Sequence, residues 1–180
     1  RLSMQFHPSI PVRQRRIDTP LGRVLLAATP AGLAGLWFEG QRHSPDSSRW
    51  AEAPADDALL QAAGAQVQAY FAGCSSPFEL PLDLGHGTPF QQQVWRALLE
   101  IGYGQTWSYG QEAQHIGRPT ATRAVAAANG QNKIAIVVPC HRVIGANGTL
   151  TGYGGGLPRK RWLLALEQAG APPRDLLDGA

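Results

Sequence analysis

The feature that most constrains this 180-residue chain is a change of hydrophobic rhythm across residues 73–87. That stretch, Gly73 to Gly87, is rich in Gly, Pro and Ser and reads as a linker. Before it lie two short apolar runs, Val24–Ala28 and Leu33–Phe38, split by Thr29–Pro30–Ala31–Gly32. Two such runs around a turn-type cluster predict a β-hairpin within Ile17–Gly40. Gln41–Pro54 is polar and reads as a loop. Asp56–Phe71 then reads as a helix: Leu59, Leu60, Ala63, Val67 and Tyr70 recur at helical spacing, with Asp56 and Asp57 in its first turn.

After the linker the helical period dominates. Thr88 is placed to cap a helix over Thr88–Ile101, Pro89 suits its first turn, and Phe90, Val94, Leu98 and Ile101 form one stripe. Ser108–Ile116 predicts a short helix. Gly117–Arg118–Pro119 breaks it, and the helical pattern resumes over Thr120–Asn129, the outline of a helix-turn-helix. The second of these helices is small along most of its length, at Ala121, Ala124, Ala126, Ala127 and Ala128. Such a face admits a close backbone approach, either to another helix or to DNA. Ile134–Val138 is continuously apolar and too short for a typical helix; it predicts a buried extended segment ending at Pro139. Gly145–Gly156 reads as a loop and Leu157–Gln168 as a last helix, with Ala171–Ala180 expected to fray.

These elements predict an α+β chain. An N-terminal α/β scaffold domain with a small antiparallel sheet spans residues 1–85, a mostly helical domain spans 86–170, and a tail follows over 171–180. With 43% hydrophobic and 16% charged residues the chain can build a core. No apolar stretch approaches the ~20 residues of a spanning helix. Arg1–Gln14 lacks the apolar centre of a signal peptide, and Met4 is a candidate start. With two cysteines, too few for a disulfide framework, this predicts a reduced, cytoplasmic protein. Charge is uneven: residues 1–85 hold 7 Lys+Arg against 8 Asp+Glu, and residues 86–180 hold 9 against 5. The second half is the one expected to meet a polyanion.

Of the two cysteines, Cys74 falls in the linker and reads as incidental. Cys140 ends the apolar run and is followed by His141 and Arg142. A thiol at a core edge beside two potential cations suits a nucleophile, since the thiolate is the reactive form and a base or positive field raises its population. A Cys–His pair also occurs as inert packing. Zinc is disfavoured, because adjacent residues rarely ligate one ion and no CxxC is present. Glu167 is one of five acidic residues after Gly85 and is a candidate third member of a Cys–His–acid relay.

Pro139–Cys140–His141–Arg142–Val143 resembles the active-site signature of the O6-alkylguanine-DNA alkyltransferases. Ser108–Tyr109–Gly110, Arg123–Ala124–Val125, Asn132, Tyr153 within Gly152–Gly156, and Trp162–Glu167 extend the resemblance in the family's order. It is strong from Thr88 to Gln168 and loose earlier, where Thr19–Gly22 and Leu33–Leu36 carry it. The bacterial constitutive type is the nearest. The resemblance implies repair of double-stranded DNA by irreversible, single-use transfer of an alkyl group from O6 of guanine to Cys140, with O4-alkylthymine as a second lesion that pocket size would decide. It implies no cofactor, no metal, no membrane and a monomer.

By position, Cys140 is then the acceptor, His141 a base acting through water, Glu167 its orienting acid, Asn132 a shaper of the thiol's surroundings, and Tyr109 a proton donor to guanine N3. Arg123 is the finger that replaces a flipped nucleotide, and Ala124, Ala127, Ala128 and Gly130 form the DNA face. Val143, Tyr153, Gly154 and Gly155 build the pocket, with main-chain groups at Cys140 and Val143 reading the guanine edge. Gly154 departs from the serine often found after the tyrosine. Cys140 itself argues against the non-catalytic relatives, which carry tryptophan there. Two other classes stay open: a lesion-binding module without transfer, and a cysteine hydrolase, which would need an oxyanion hole.

Overall fold

The computed structural model describes residues 5–174. Within them a four-stranded sheet has the order β3-β2-β1-β4, made from β1 (Arg13–Ile17), β2 (Val24–Thr29), β3 (Gly32–Phe38) and β4 (Ala51–Glu52). The hairpin β2–β3 falls where the apolar runs place it, with a register shift between Ala27 and Ala28. β1 adds antiparallel, whereas the two-residue edge β4 joins in parallel inside the segment expected to be loop. Arg13–Ile17 gave no strand signal because its residues are mostly charged or polar. Arg13 ion-pairs with Asp57, and Gln14 donates to the carbonyls of Ser47 and Trp50, so polar side chains hold a strand that hydrophobicity does not announce.

Helix α1 (Ala58–Phe71) packs on the sheet through Leu60, Ala63, Val67 and Tyr70. Asp57 is its N-cap, accepting from the Leu60 amide at 3.0 Å, so the two aspartates precede the first turn that the sequence reading gave them. The linker is not loose. Leu33 N donates to Pro81 O at 2.8 Å and Asp83 N to Leu33 O at 2.7 Å, and Phe78, Leu80, Leu82 and Leu84 pack against the core. A Cβ on Gly32 would lie 2.5 Å from Pro81 O at a φ of 149°, so this close crossing requires glycine there.

Beyond it run α2 (Pro89–Leu98), β5 (Trp107–Ser108), α3 (Tyr109–His115), α4 (Thr122–Gly130), a 3₁₀ turn (Cys140–Arg142), β6 (Val143–Ile144) and α5 (Leu157–Ala169). Thr88 and Ser108 each close a capping box, with Gln91 and Gln111 answering back. One continuous cluster of buried side chains extends from Leu21 and Leu26 of the first half to Leu163 and Leu166 of the last helix.

The expectation for 134–138 is corrected. These residues are buried, but they wind rather than extend: Val137 N donates to Ala135 O and Val138 N to Ile134 O, and Ile136 sits at φ 71°. A β-branched residue in that region stores about 1–3 kcal/mol of strain. Burial of Ile134, Ile136 and Val138 on apolar neighbours holds it. The coil then delivers Pro139 and Cys140 to the head of the 3₁₀ turn. Of the tail expected to fray, residues 175–180 lie outside the described residues, as does Met4.

Candidate active site

Cys140 is 9% exposed and faces a cavity of about 410 Å³. Tyr109, Arg123, Gly130, Tyr153 and Gly154 line that cavity with it, as does Asn129 of α4. Two residues of the first half, Arg42 and His43, complete the rim. The Asn132 amide donates to Cys140 Sγ at 3.2 Å and to Val138 O at 2.8 Å, while its Oδ1 accepts from Ile134 N. One side chain thus ties the thiol to the coil that presents it.

The histidine and the acid expected beside the thiol are bonded to each other. His141 is fully buried, and its Nε2 lies 2.6 Å from Glu167 Oε2. An ionised carboxylate only accepts, so Nε2 carries the proton and Nδ1 holds the lone pair. Nδ1 is buried with no hydrogen-bond partner among the described residues. Burial pushes the imidazole's pKa down, against the pull of Glu167, which favours the neutral base. Desolvation pushes the Glu167 carboxyl up, but hydrogen bonds and charge from His141 and Arg142 outweigh it and hold the group well below the usual carboxylate range.

The sequence reading missed most of what surrounds Glu167. Tyr70, on α1 of the first half, donates to Glu167 Oε2 at 2.6 Å. Arg142 donates through Nε at 2.8 Å and Nη2 at 3.1 Å, and the Gly104 amide donates to Oε1 at 3.1 Å. Arg142 is therefore not a cation beside the thiol. Its guanidinium serves Glu167 and the Ile101 carbonyl. The positive charge that bears on Cys140 comes from Lys160. Burial raises the thiol's pKa, and the Asn132 hydrogen bond and Lys160 only partly offset it, so the expected depression of a reactive thiol is absent in this state.

Lys160 is fully buried and also went unrecognised. It donates to the carbonyls of Val143 at 2.6 Å and Thr151 at 2.9 Å and lies 3.5 Å from the Tyr109 hydroxyl. Burial lowers its pKa to about 8. It pins the Gly-rich loop against β6 and holds Tyr109 at the cavity edge, where the phenol donates to Thr151 O. Its signal in the sequence was a basic residue at a core-facing position of α5, beside Trp162 and Leu163.

The remaining assignments divide. Ala124 and Ala127 are exposed on α4 together with Arg123 and Gly130, giving a shallow outer face. Ala128 is 2% exposed and packs inward, so it leaves that face. Val143 and Gly155 do not line the cavity. Val143 is fully buried with its carbonyl taken by Lys160, and a Cβ on Gly155 would lie 2.9 Å from the Phe38 ring, so Gly155 backs onto the first half instead. Cys74 is free and exposed, and no group of three or more His, Cys, Asp or Glu among the described residues could hold a metal ion.

The chain is similar in sequence and fold to known proteins over nearly its whole length. Residues 89–169 match the model of the 6-O-methylguanine DNA methyltransferase DNA-binding domain, and residues 12–84 that of its ribonuclease-like domain. The chain belongs to the 6-O-methylguanine DNA methyltransferase family. It is 51% identical over 161 residues to a methylated-DNA–protein-cysteine methyltransferase of Mycobacterium bovis, covering 89% of this chain and 95% of the relative. A Methanosarcina acetivorans relative of the same name is 47% identical, covering 83% and 94%. The crystal structure of Mycobacterium tuberculosis OGT in complex with DNA superposes with a TM-score of 0.85 at 50% identity, covering 92% of this chain and 98% of that one.

Proposed function

We propose that this protein repairs DNA by transferring a methyl or larger alkyl group from O6 of guanine to Cys140, irreversibly and once per molecule. One observation carries the reading: the sulfur lining the cavity belongs to Cys140, and the next residue in the chain is the histidine of a buried histidine–glutamate pair whose free ring nitrogen has no partner among the described residues. The thiol proton passes through water to His141 Nδ1. Sγ attacks the alkyl carbon, an S–C bond forms, and the C–O6 bond breaks with its electron pair going to guanine. Tyr109 supplies a proton to the departing base at N3, and Lys160 stands ready to restore it. The carbon attacked is saturated, so neither an oxyanion hole nor a metal is required. The thioether product resists hydrolysis, hence the single use.

O6 of a stacked guanine is out of reach of a thiol in a core-edge cavity. The base must turn out of the duplex, at about a few kcal/mol. Arg123, exposed at the cavity rim, is the side chain placed to fill the gap, and the outer face of Ala124, Ala127 and Gly130 is low enough to approach a minor groove. The division of labour proposed is a scaffold over residues 1–85 and a DNA-binding and catalytic unit over 86–170, acting as a cytoplasmic monomer on double-stranded DNA. With glycine at 154, a main-chain amide is left to serve where a serine hydroxyl would contact O6.

Intact-protein mass spectrometry after incubation with O6-methylguanine DNA tests this. One methyl mass on the peptide bearing Cys140, at one equivalent, is the expected result. Cys140→Ser retains DNA binding and gains no mass. Multiple turnover, or methyl on another residue, overturns the assignment.

A further inference from the structure

One buried ionisable group plays no part in the relay just described. Glu112, on α3, has no exposed surface, and its Oε1 accepts from Asn129 Nδ2 of α4 at 2.7 Å. The other oxygen of each side chain, Glu112 Oε2 and Asn129 Oδ1, is buried without a partner among the described residues. Two bare buried acceptors on one hydrogen-bonded pair are costly if the carboxyl is ionised. A single proton on Oε2 converts one of them into a donor. Carboxyl and amide have matching bite, so a coplanar pair then closes two hydrogen bonds in a ring. Asn129 in turn lines the Cys140 cavity and precedes Gly130 on the exposed face of α4.

We propose, on the alkyltransferase reading above, that Glu112 is a positioning residue for transfer: carrying a proton, it clasps the Asn129 amide and fixes the cavity wall between α3 and α4. Ionisation would act twice. It withdraws the donor that Asn129 Oδ1 needs, and it places a negative charge whose field disfavours the Cys140 thiolate. Burial raises the carboxyl's pKa to about 7, with the Asn129 hydrogen bond and His115 working the other way, so both forms are reached near neutrality.

The charged and titratable groups around it are few. On α3 itself these are His115, engaged with Glu100, and Tyr109. Of the elements packed on α3, helices α2 and α4 carry only Arg96 and Arg123, both exposed, and strands β5 and β6 carry none. Cys140 adds its thiol from the 3₁₀ turn.

The test compares single-turnover transfer from O6-methylguanine duplex by the wild type and Glu112→Gln between pH 6 and 8.5. Glutamine is isosteric, permanently neutral, and can make both bonds to Asn129. Lys160, with its pKa lowered to about 8 by burial, is common to both proteins and cancels in the ratio. Equal rates at pH 6, with the wild type about tenfold slower than Glu112→Gln at pH 8, is the expected result. A protonated-carboxyl infrared band at pH 6 that is missing from Glu112→Gln reports the proton independently of activity. Superimposed profiles, or an absent band, overturn the role while leaving alkyl transfer intact. No transfer by either protein at any pH overturns the alkyltransferase reading itself, and the role with it.

Discussion

Tyr70→Phe isolates what the first half of the chain contributes to the site. The substitution deletes one oxygen and leaves the ring packed among Phe71, Phe78 and Tyr103. That hydroxyl lies 2.6 Å from Glu167 Oε2, in a position 3% exposed, so water cannot replace it. A hydrogen bond to a charged group is worth about 1.5–3 kcal/mol. Glu167 keeps His141, Arg142 and the Gly104 amide, so the loss is expected near the lower end of that range. Glu167→Gln is larger, about 3–5 kcal/mol, because Arg142 is left buried without its counter-charge.

The two side chains share one bond, so the double variant should lose less than the sum of the single ones, by about 1–2 kcal/mol. Urea unfolding at pH 7 measures all three, with the midpoint moving and the slope unchanged. That pH matters. A carboxyl held well below its ordinary 4.5 contributes fully above that value and loses its contribution as pH falls through the folded pKa. Strict additivity, or a Tyr70→Phe loss under about 0.5 kcal/mol, would refute the claim that α1 reaches into the relay.

Two further outcomes follow from the same geometry. Arg123→Ala should slow repair of duplex substrate while leaving transfer from free O6-benzylguanine near wild type, because only the duplex has a gap to fill; equal loss on both substrates would place Arg123 in the chemistry instead. For Glu112, a folded pKa of about 7 against an ordinary 4.5 means stability present below pH 4.5 is lost as pH rises to 7 and stays flat above. The wild type should therefore lose about 3 kcal/mol relative to Glu112→Gln between pH 4.5 and 8 in thermal or urea unfolding; parallel stability curves would show that Glu112 does not titrate in this range.

Elements that announce themselves by local chemistry were legible. The β2–β3 hairpin, the Thr88 cap and the Gly117 break depend on neighbours a few residues away. Cys140 and His141 came through one short motif, and Glu167 through a second, Trp162–Glu167, and the scarcity of acids after Gly85. What stayed hidden depends on long-range pairing. β1 is held by polar contacts to residues 44 and more than 30 positions away, as Arg13–Asp57 and Gln14–Trp50 show. Tyr70 looked like one more residue of a helical stripe, and only the fold sets its hydroxyl on a glutamate 97 residues later. Ile134–Val138 has the composition of a strand, but a positive φ at Ile136 is a tertiary choice that no local propensity favours. Glu112 was invisible for the opposite reason: an acid in a short amphipathic helix reads as solvated, and burial alone makes it informative.

The state of the thiol connects these pieces. A permanently ionised sulfur at the surface would react with any electrophile or oxidant in solution. For a protein consumed by one transfer, each such encounter removes a molecule from use. Here the sulfur is 9% exposed and burial favours its neutral form, an Asn132 donor at 3.2 Å and the charge of Lys160 only partly offset that, and His141 is neutral with Nδ1 bare among the described residues. An extrahelical base entering the cavity excludes solvent around Sγ and strengthens each of those interactions, since the local dielectric falls. Solvent exclusion also raises the cost of a free thiolate, so on the proposed reading the proton leaves as the S–C bond forms to an alkyl carbon already in line, and reactivity follows from occupancy of the cavity rather than from the resting pKa of the cysteine.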